Sequence, residues 1–506
     1  MTALVDAIRQ QVTIRPTATA LIWQDRHVSY GELHAMARRA RTRIEEVSPD
    51  PERPVALSLA ESPEAVGVIL GALYAGRGFL LPPVDLPAEP LRRLCAQSRC
   101  GAVLGLSAGP LVDHVVDPHG PDSGPDSGSG PGREPEPDRE PAKVSADTVG
   151  FISTTSGSTG PSKLVPHSYG AVDRFLRWGA DTFGITVGTR VLNHAPLSFD
   201  VCLLDVWTTL AHGGTVVMVD PDRATFPDHL RDLIAGHAVE VIQGVPMLFQ
   251  LLAEATGQSG PLTSPRHVFF HGDKLPSRTL EALPRVFPAA RRYNMYGTTE
   301  TNNSFLYELP RDRPPRSPLP IGEPLDGVHW LLEGPDGRAM TGPGEGELLV
   351  HTPYQSAGYL NAPATGKYGT HPDGLPGLTY YRSGDLVQRH EDGALSVAGR
   401  TDLQVKVRGI QVNPQNVERV LLDHPGVAEA AVVALPDPLA GHRLHARLRL
   451  TGPGAASVLA LRQYCAGRLV RAALPAVLEL VSEPLPRTAS GKVDRLRVRD
   501  GLLPGG

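Results

Sequence analysis

Apolar and polar positions alternate in blocks along the chain, and most blocks resolve into a helix or a strand. Ser29-Tyr30-Gly31-Glu32-Leu33 opens a helix that runs through the arginine-rich stretch 37–43: Ser29 is the cap, and Glu32 three residues on completes a capping box. Val55-Ala56-Leu57-Ser58-Leu59 reads as a buried strand, 62–75 as an apolar helix ended by Gly76, and Phe79-Leu80-Leu81-Pro82 as another short strand. Val149-Gly150-Phe151-Ile152 is a further buried strand. Three later apolar runs, 239–246, 267–273 and 292–300, read as strands that finish in polar, glycine-marked turns. Strands separated by helices predict a parallel sheet with crossover helices. Ligands of such sheets bind beyond the carboxyl ends of the strands, so the three polar turns are expected to share one site.

Composition narrows the class. The chain has 506 residues, 41% hydrophobic and 20% charged, which is ordinary for a globular protein with more than one domain. The formal charge, 49 − 54 = −5, leaves no basic footprint for nucleic acid. Cys95, Cys100, Cys202 and Cys465 are too few and too scattered for a disulfide framework or a zinc site. No apolar run reaches membrane-spanning length and the first residues carry no signal-peptide pattern, so neither a membrane nor a secreted location is expected; the cytoplasm is. Residues 117–142 break the alternation, with seven prolines, five glycines and seven acids in 26 positions. Such a segment cannot bury enough apolar surface to offset its ordering entropy and is expected to be a disordered surface insertion.

The densest chemistry lies in Thr154-Thr155-Ser156-Gly157-Ser158-Thr159-Gly160-Pro161-Ser162-Lys163. Hydroxyls and exposed backbone N–H groups bind phosphate oxygens, glycines let a ligand approach the backbone, and Lys163 adds a mobile charge. The spacing is not that of the common G-x-x-x-x-G-K-[ST] loop. A flexible linker has a similar composition, but the strand just before it favours a phosphate cradle. Further on, Phe199-Asp200 precedes the apolar run Val201-Cys202-Leu203-Leu204, where an acid ordinarily caps a helix.

Six motifs occur in order: Thr154–Lys163, Phe199-Asp200, Asn294-Met295-Tyr296-Gly297-Thr298-Thr299-Glu300, Tyr381-Arg382-Ser383-Gly384-Asp385-Leu386, Gly399-Arg400-Thr401-Asp402, and Pro486-Arg487-Thr488-Ala489-Ser490-Gly491-Lys492. Together they resemble the adenylate-forming superfamily, which holds amino-acid adenylation domains of nonribosomal peptide synthetases, acyl-CoA ligases and luciferases. The match covers nearly the whole chain. It implies a large α/β N-terminal domain of the adenylate-forming type over 1–399, with mixed sheets and crossover helices. A hinge over 400–402 and a small mobile α+β C-terminal domain over 403–506 would follow.

The resemblance also implies a two-step reaction: a carboxylate attacks the α-phosphate of ATP to give an acyl-adenylate and pyrophosphate, and a thiol then takes the acyl group. Thr154, Thr155, Ser156, Gly157, Ser158, Thr159, Gly160 and Lys163 would hold phosphates, and Gly272, Asn294, Gly297, Thr298 and Thr299 would surround the nucleotide. Tyr296 would lie against adenine, and Asp385 with Arg400 would bind the ribose. Glu300 would hold Mg²⁺, for which a hard oxygen ligand is suited. Lys492 would touch both the attacking carboxylate and the α-phosphate, and Asp402 would be the hinge. Each residue alone could be structural: Asp385 a turn acid, Arg400 a surface ion pair, Lys492 an exposed loop lysine.

The chain departs from the commoner family pattern at Gly160-Pro161-Ser162-Lys163-Leu164-Val165-Pro166, which is reminiscent of aryl-acid-activating members, and at Asn413-Pro414 after Arg408-Gly409. Asp200 sits where amino-acid-activating members carry the aspartate that meets the substrate ammonium. It therefore favours an amino-acid substrate over an acyl- or aryl-acid CoA ligase. A degenerate, non-enzymatic homologue is disfavoured by the joint presence of Glu300, Asp385, Arg400 and Lys492. By the same resemblance Asp200, Val201, Leu204, Gln243, Phe269, His271, Met295, Asn303 and Ser304 would line the substrate pocket. The bulk of Phe269 and His271 suggests glycine or alanine, while the polar 302–304 stretch leaves a β-amino or polar amino acid open. No phosphopantetheine-bearing segment is evident, so a free-standing carrier protein acting in trans is the expected partner.

Overall fold

The computed structural model describes residues 3–84, 86, 88–105, 139–155, 163–272, 275, 277–311, 315–316, 318–364, 366–401, 404–486 and 493–502. A nine-stranded sheet forms the middle of the large domain. Six of its strands run parallel, in the spatial order Arg291–Thr298, His267–Phe270, Val241–Gly244, Arg190–Asn193, Thr215–Met218 and Thr19–Trp23. Successive side chains of a strand point to opposite faces, and here both faces are covered. Ile242, Val268 and Phe270 face the helices Pro246–Ser259 and Ser277–Val286, packing with Leu248, Phe249, Leu252 and Leu283. Val241, Phe269 and Tyr293 face the other way, towards Phe175 and Phe183 of the helix Tyr169–Phe183.

A second sheet places Ala102–Gly105, Val55–Ser58, Phe79–Leu80 and Val149–Thr155 in parallel, and Lys163–Ser168 returns antiparallel on the last. The helix Tyr30–Val47 begins with the capping box read from the sequence: the Glu32 side chain accepts from the Ser29 N–H at 2.7 Å. It crosses the helix Pro63–Tyr74 closely, since a Cβ on Gly71 would lie 2.7 Å from the Ala37 carbonyl oxygen. A third, antiparallel sheet carries His329–Glu333, Gly344–His351 and Tyr380–Arg389, with Leu395–Arg400 on the last strand.

The C-terminal region has a core of its own, built from Val427–Asp437, Gly441–Leu450, Val477–Val481 and the hairpin Val405–Val407/Ile410–Val412, under the helices Pro414–Leu422 and Val458–Ala466. This is the α/β-plus-α+β organisation expected. Arg400 is the last residue of a large-domain strand, paired with Asp385. Asp402 lies outside the described residues. So does the expected insertion through residue 138, but its last four residues do not match the expectation. Arg139 pairs with Glu45, Glu140 with Arg9, and the Ala142 N–H donates to the Tyr74 carbonyl at 3.0 Å.

Candidate active site

The register of the parallel strands sets Gly244 beside Phe270 and Phe270 beside Asn294, so two of the strands finish level and the third runs four residues further, to Thr298. Beyond them opens a cavity of about 1330 Å³ between the large domain and the hairpin of the small one. Its wall brings together Thr154, Thr155, Asp200, Val201, His271, Gly272, Asn294 to Thr299, Asn303, Asp385 and Arg400. This is the convergence that the three glycine-marked turns predicted.

One side of the cavity is a polar cluster. The Tyr296 hydroxyl donates to Asp385 Oδ2 at 2.6 Å and the Arg400 guanidinium donates to Asp385 Oδ1 at 2.5 Å. Asp385 and Arg400 are direct partners across two strands, and the Asp385 N–H donates to Ser383 Oγ at 3.0 Å, which fixes the acid from behind. Burial and the Asp385 charge push the Tyr296 phenol well up, so it stays a donor. Both Asp385 oxygens are engaged, but each keeps a second lone pair for a hydroxyl donor. Asn294 donates to the Pro320 carbonyl at 2.7 Å. Gly297 is required where it stands, because a Cβ there would collide with the Asn302 carbonyl oxygen.

A second side carries Thr154 and Thr155, where the strand leaves for the hydroxyl-rich loop; Lys163, which pairs with Thr155 on the way back, and Glu300 lie behind them and do not reach the wall. Ser156, Gly157, Ser158, Thr159 and Gly160 lie outside the described residues, as does Lys492. Glu300 is 7% exposed, and the Tyr359 hydroxyl donates to its Oε1 at 2.8 Å. Among the described residues no three His, Cys, Asp or Glu side chains converge on one point. Mg²⁺ is usually held by one or two carboxylates, water and substrate phosphates. Glu300 next to the phosphate-loop strands meets that description.

The third side holds Asp200, half-buried and level with Thr299, whose side chain hydrogen-bonds it. Removal from water, helped by the nearby Glu300 charge, raises its carboxyl to about 6. It is no helix cap: the wide-turned helix Leu203–Thr208 that follows has Cys202 at its start and no side-chain cap. Val201, His271, Met295 and Asn303 also reach the cavity. Leu204, Gln243, Phe269 and Ser304, expected beside them, are instead fully or almost fully buried and absent from its wall. Leu204 packs on Gly179, Phe269 stacks on Phe183 with centroids 4.5 Å apart, and the Ser304 hydroxyl bonds to Thr301. Gln243 donates to the Val201 carbonyl at 2.9 Å and so supports the wall from behind. His271 carries a buried Nε2 with no partner among the described residues. Burial, with the Lys406 charge added, holds its ring down at about 4, so it is neutral.

Sequence reading missed Glu61 and His194, which also line the cavity. Neither belongs to a recognisable pattern; only the nearness of His194 to Phe199-Asp200 could have flagged it. Asp205 was missed as well. It is fully buried, accepts from Asn193 Nδ2 at 3.2 Å, and is pushed up to about 7 by burial. The folded chain therefore holds this proton between the ordinary carboxyl range and pH 7, while the unfolded chain releases it. Stability attributable to Asp205 is lost as pH rises through that window. Asp205→Asn should thus gain in thermal midpoint relative to the parent between pH 5 and pH 8, as melting curves at the two pH values would register.

Comparison with known proteins agrees with this geometry. The AMP-binding enzyme family profile matches residues 8–360, and that of the AMP-binding enzyme C-terminal domain matches residues 416–492. An L-proline–[L-prolyl-carrier protein] ligase of Pseudomonas fluorescens is 30% identical over 499 residues, 95% of each chain. A D-alanine–D-alanyl carrier protein ligase of Bacillus cereus is 27% identical over 506 residues, 98% of each. Among solved structures, amide bond synthetase McbA from Marinactinospora thermotolerans superposes with a TM-score of 0.84 at 22% identity, covering 99% of this chain and 100% of that one.

Proposed function

From the premise that the chain belongs to the AMP-binding enzyme family and is an AMP-forming ligase, we propose that it activates a small amino acid with ATP and passes the aminoacyl group to the thiol of a separate carrier protein. The observation that carries the amino-acid assignment is Asp200. Its half-buried carboxylate faces the cavity beside Val201 and Met295, and no ion pair from a described Lys, Arg or His side chain meets it. A desolvated anion next to apolar walls is costly unless a cation joins it. The α-ammonium of an amino acid is that cation, held by a charge-assisted hydrogen bond.

In the first step a carboxylate oxygen of the substrate bonds to the α-phosphorus and pyrophosphate leaves. In the second a thiolate bonds to the acyl carbon and AMP leaves. Adenylyl transfer is chiefly positioning and charge neutralisation. Asp200 would orient the amino acid, Tyr296, Asp385 and Arg400 the nucleoside, and Thr154, Thr155 and Lys163 the phosphates. Mg²⁺, when bound at Glu300, would offset phosphate charge. Lys492 is assigned to the reacting carboxylate and α-phosphate by its motif alone.

Glycine or alanine remains the first choice of substrate, with a β-amino or polar amino acid as the alternative. The buried position of Phe269 removes one reason for a small pocket; His271 remains as bulk at the wall. The named activities of the two carrier-protein ligases, on proline and D-alanine, support a small neutral side chain. The test is ATP–pyrophosphate exchange across a panel of amino acids, followed by mass spectrometry of a phosphopantetheinylated carrier protein. Exchange with one small amino acid and the matching mass gain are expected. Exchange confined to fatty or aryl acids would overturn the assignment.

A further inference from the structure

Glu300 and Lys163 are far apart in sequence, yet one short segment touches both. At its start the Ser356 N–H donates to the Glu300 carbonyl at 2.8 Å. The Tyr359 hydroxyl then donates to Glu300 Oε1 at 2.8 Å, while Lys163 Nζ lies over the same tyrosine's ring, 4.7 Å from its centroid. The next two residues fasten the segment to the strand that leaves the phosphate loop. The Leu360 N–H donates to the Leu164 carbonyl at 3.0 Å, and Asn361 Oδ1 accepts from the Leu164 N–H at 2.8 Å. Asn361 is itself held, its amide donating to Gln97 Oε1 at 2.8 Å.

Resting on the functional reading above, we infer that Tyr359 is a positioning residue that sets the Mg²⁺ carboxylate and the phosphate-loop lysine relative to each other. Its two faces do different work. The hydroxyl occupies one lone pair of Glu300 Oε1 and so fixes how the carboxylate turns, leaving its other lone pairs to a metal or its waters. The ring supplies a face on which an ammonium rests by cation–π attraction. Tyr368 and Tyr381 extend the aromatic wall, with ring centroids 5.7 Å from Tyr359 to Tyr368 and 5.0 Å from Tyr368 to Tyr381, which leaves Tyr359 little room to turn.

The two faces can be separated. Tyr359→Phe keeps the ring and removes the donor; Tyr359→Leu removes both. ATP binding is followed by calorimetry across a series of magnesium concentrations, with pyrophosphate exchange measured in parallel. For Tyr359→Phe the magnesium needed for half-maximal ATP binding should rise about tenfold, the size of losing one hydrogen bond to a charged group. High magnesium should restore its binding. Tyr359→Leu should bind ATP more weakly even at saturating magnesium, because Lys163 has lost its support. A wild-type magnesium dependence in Tyr359→Phe, or a loss equal at every magnesium concentration, overturns the inference alone. Wild-type protein that binds no ATP overturns the functional reading, and this inference with it.

Discussion

Asp200→Asn is expected to lower pyrophosphate exchange with the native amino acid by about 10²-fold or more, because a desolvated ion pair that loses one partner leaves the other charge stranded. Asparagine keeps the shape and can still bond with Thr299, so the change isolates charge. The same reasoning fixes the pH dependence. Asp200 in the free protein titrates near 6, raised by burial. Below that value the carboxyl is neutral and no longer attracts an ammonium. Apparent affinity for the amino acid should therefore fall as pH drops through 6 and level off above it. In Asp200→Asn that break should vanish. A carboxylic acid without the amino group should lose far less on the same substitution. Equal losses for the two would mean that Asp200 does not read the amino group, and the acyl- or aryl-acid reading would return.

Gly409→Ala should separate the two half-reactions. Gly409 sits in the hairpin of the small domain with φ of +79°, and an added Cβ would lie 2.6 Å from Cγ1 of Val245, just past the strand Val241–Gly244. The left-handed backbone costs an L-residue about 1–2 kcal/mol and overpacking a further ~1–3 kcal/mol. The first cost falls on the hairpin wherever it sits; only the second, about 1–3 kcal/mol, opposes docking, or roughly 5-fold to 150-fold in any step that needs the docked hairpin. The hairpin also brings Lys406 near His271, on the cavity wall. We therefore expect loading of the carrier protein to drop by that factor while exchange falls far less. Parallel losses in both assays would show that the docked hairpin serves the first step too.

Much of this site was legible in the sequence because its pieces end strands. The turns after Gly244, Phe270 and Thr298 announce themselves by glycine and polar residues, and the parallel arrangement carries all three past the same edge of the sheet whatever lies between. Asp385 and Arg400 were legible as motif members, and the antiparallel pairing of their strands explains why fifteen residues of separation still place them in contact. Facing was not legible. Gln243 and Phe269 are register partners and share one face of the sheet, towards the helix Tyr169–Phe183 rather than the cavity. Only the packed helix decides which face that is. Leu204 was lost to the same cause, since the wide-turned helix after Cys202 buries it against Gly179. The bond between Tyr359 and Glu300 spans 59 residues and leaves no local signal.

The central claim is that the cavity activates an amino acid and recognises it by charge. The most direct test is ATP–pyrophosphate exchange by the wild-type protein with the best amino acid from the panel and with its des-amino acid of the same size, run side by side at pH 7.5. Strong exchange with the amino acid and, for the des-amino acid, exchange lower by about two orders of magnitude are predicted, the gap expected when a buried charge is left unpaired. Equal exchange with the two acids, or stronger exchange with the des-amino acid, would contradict the account.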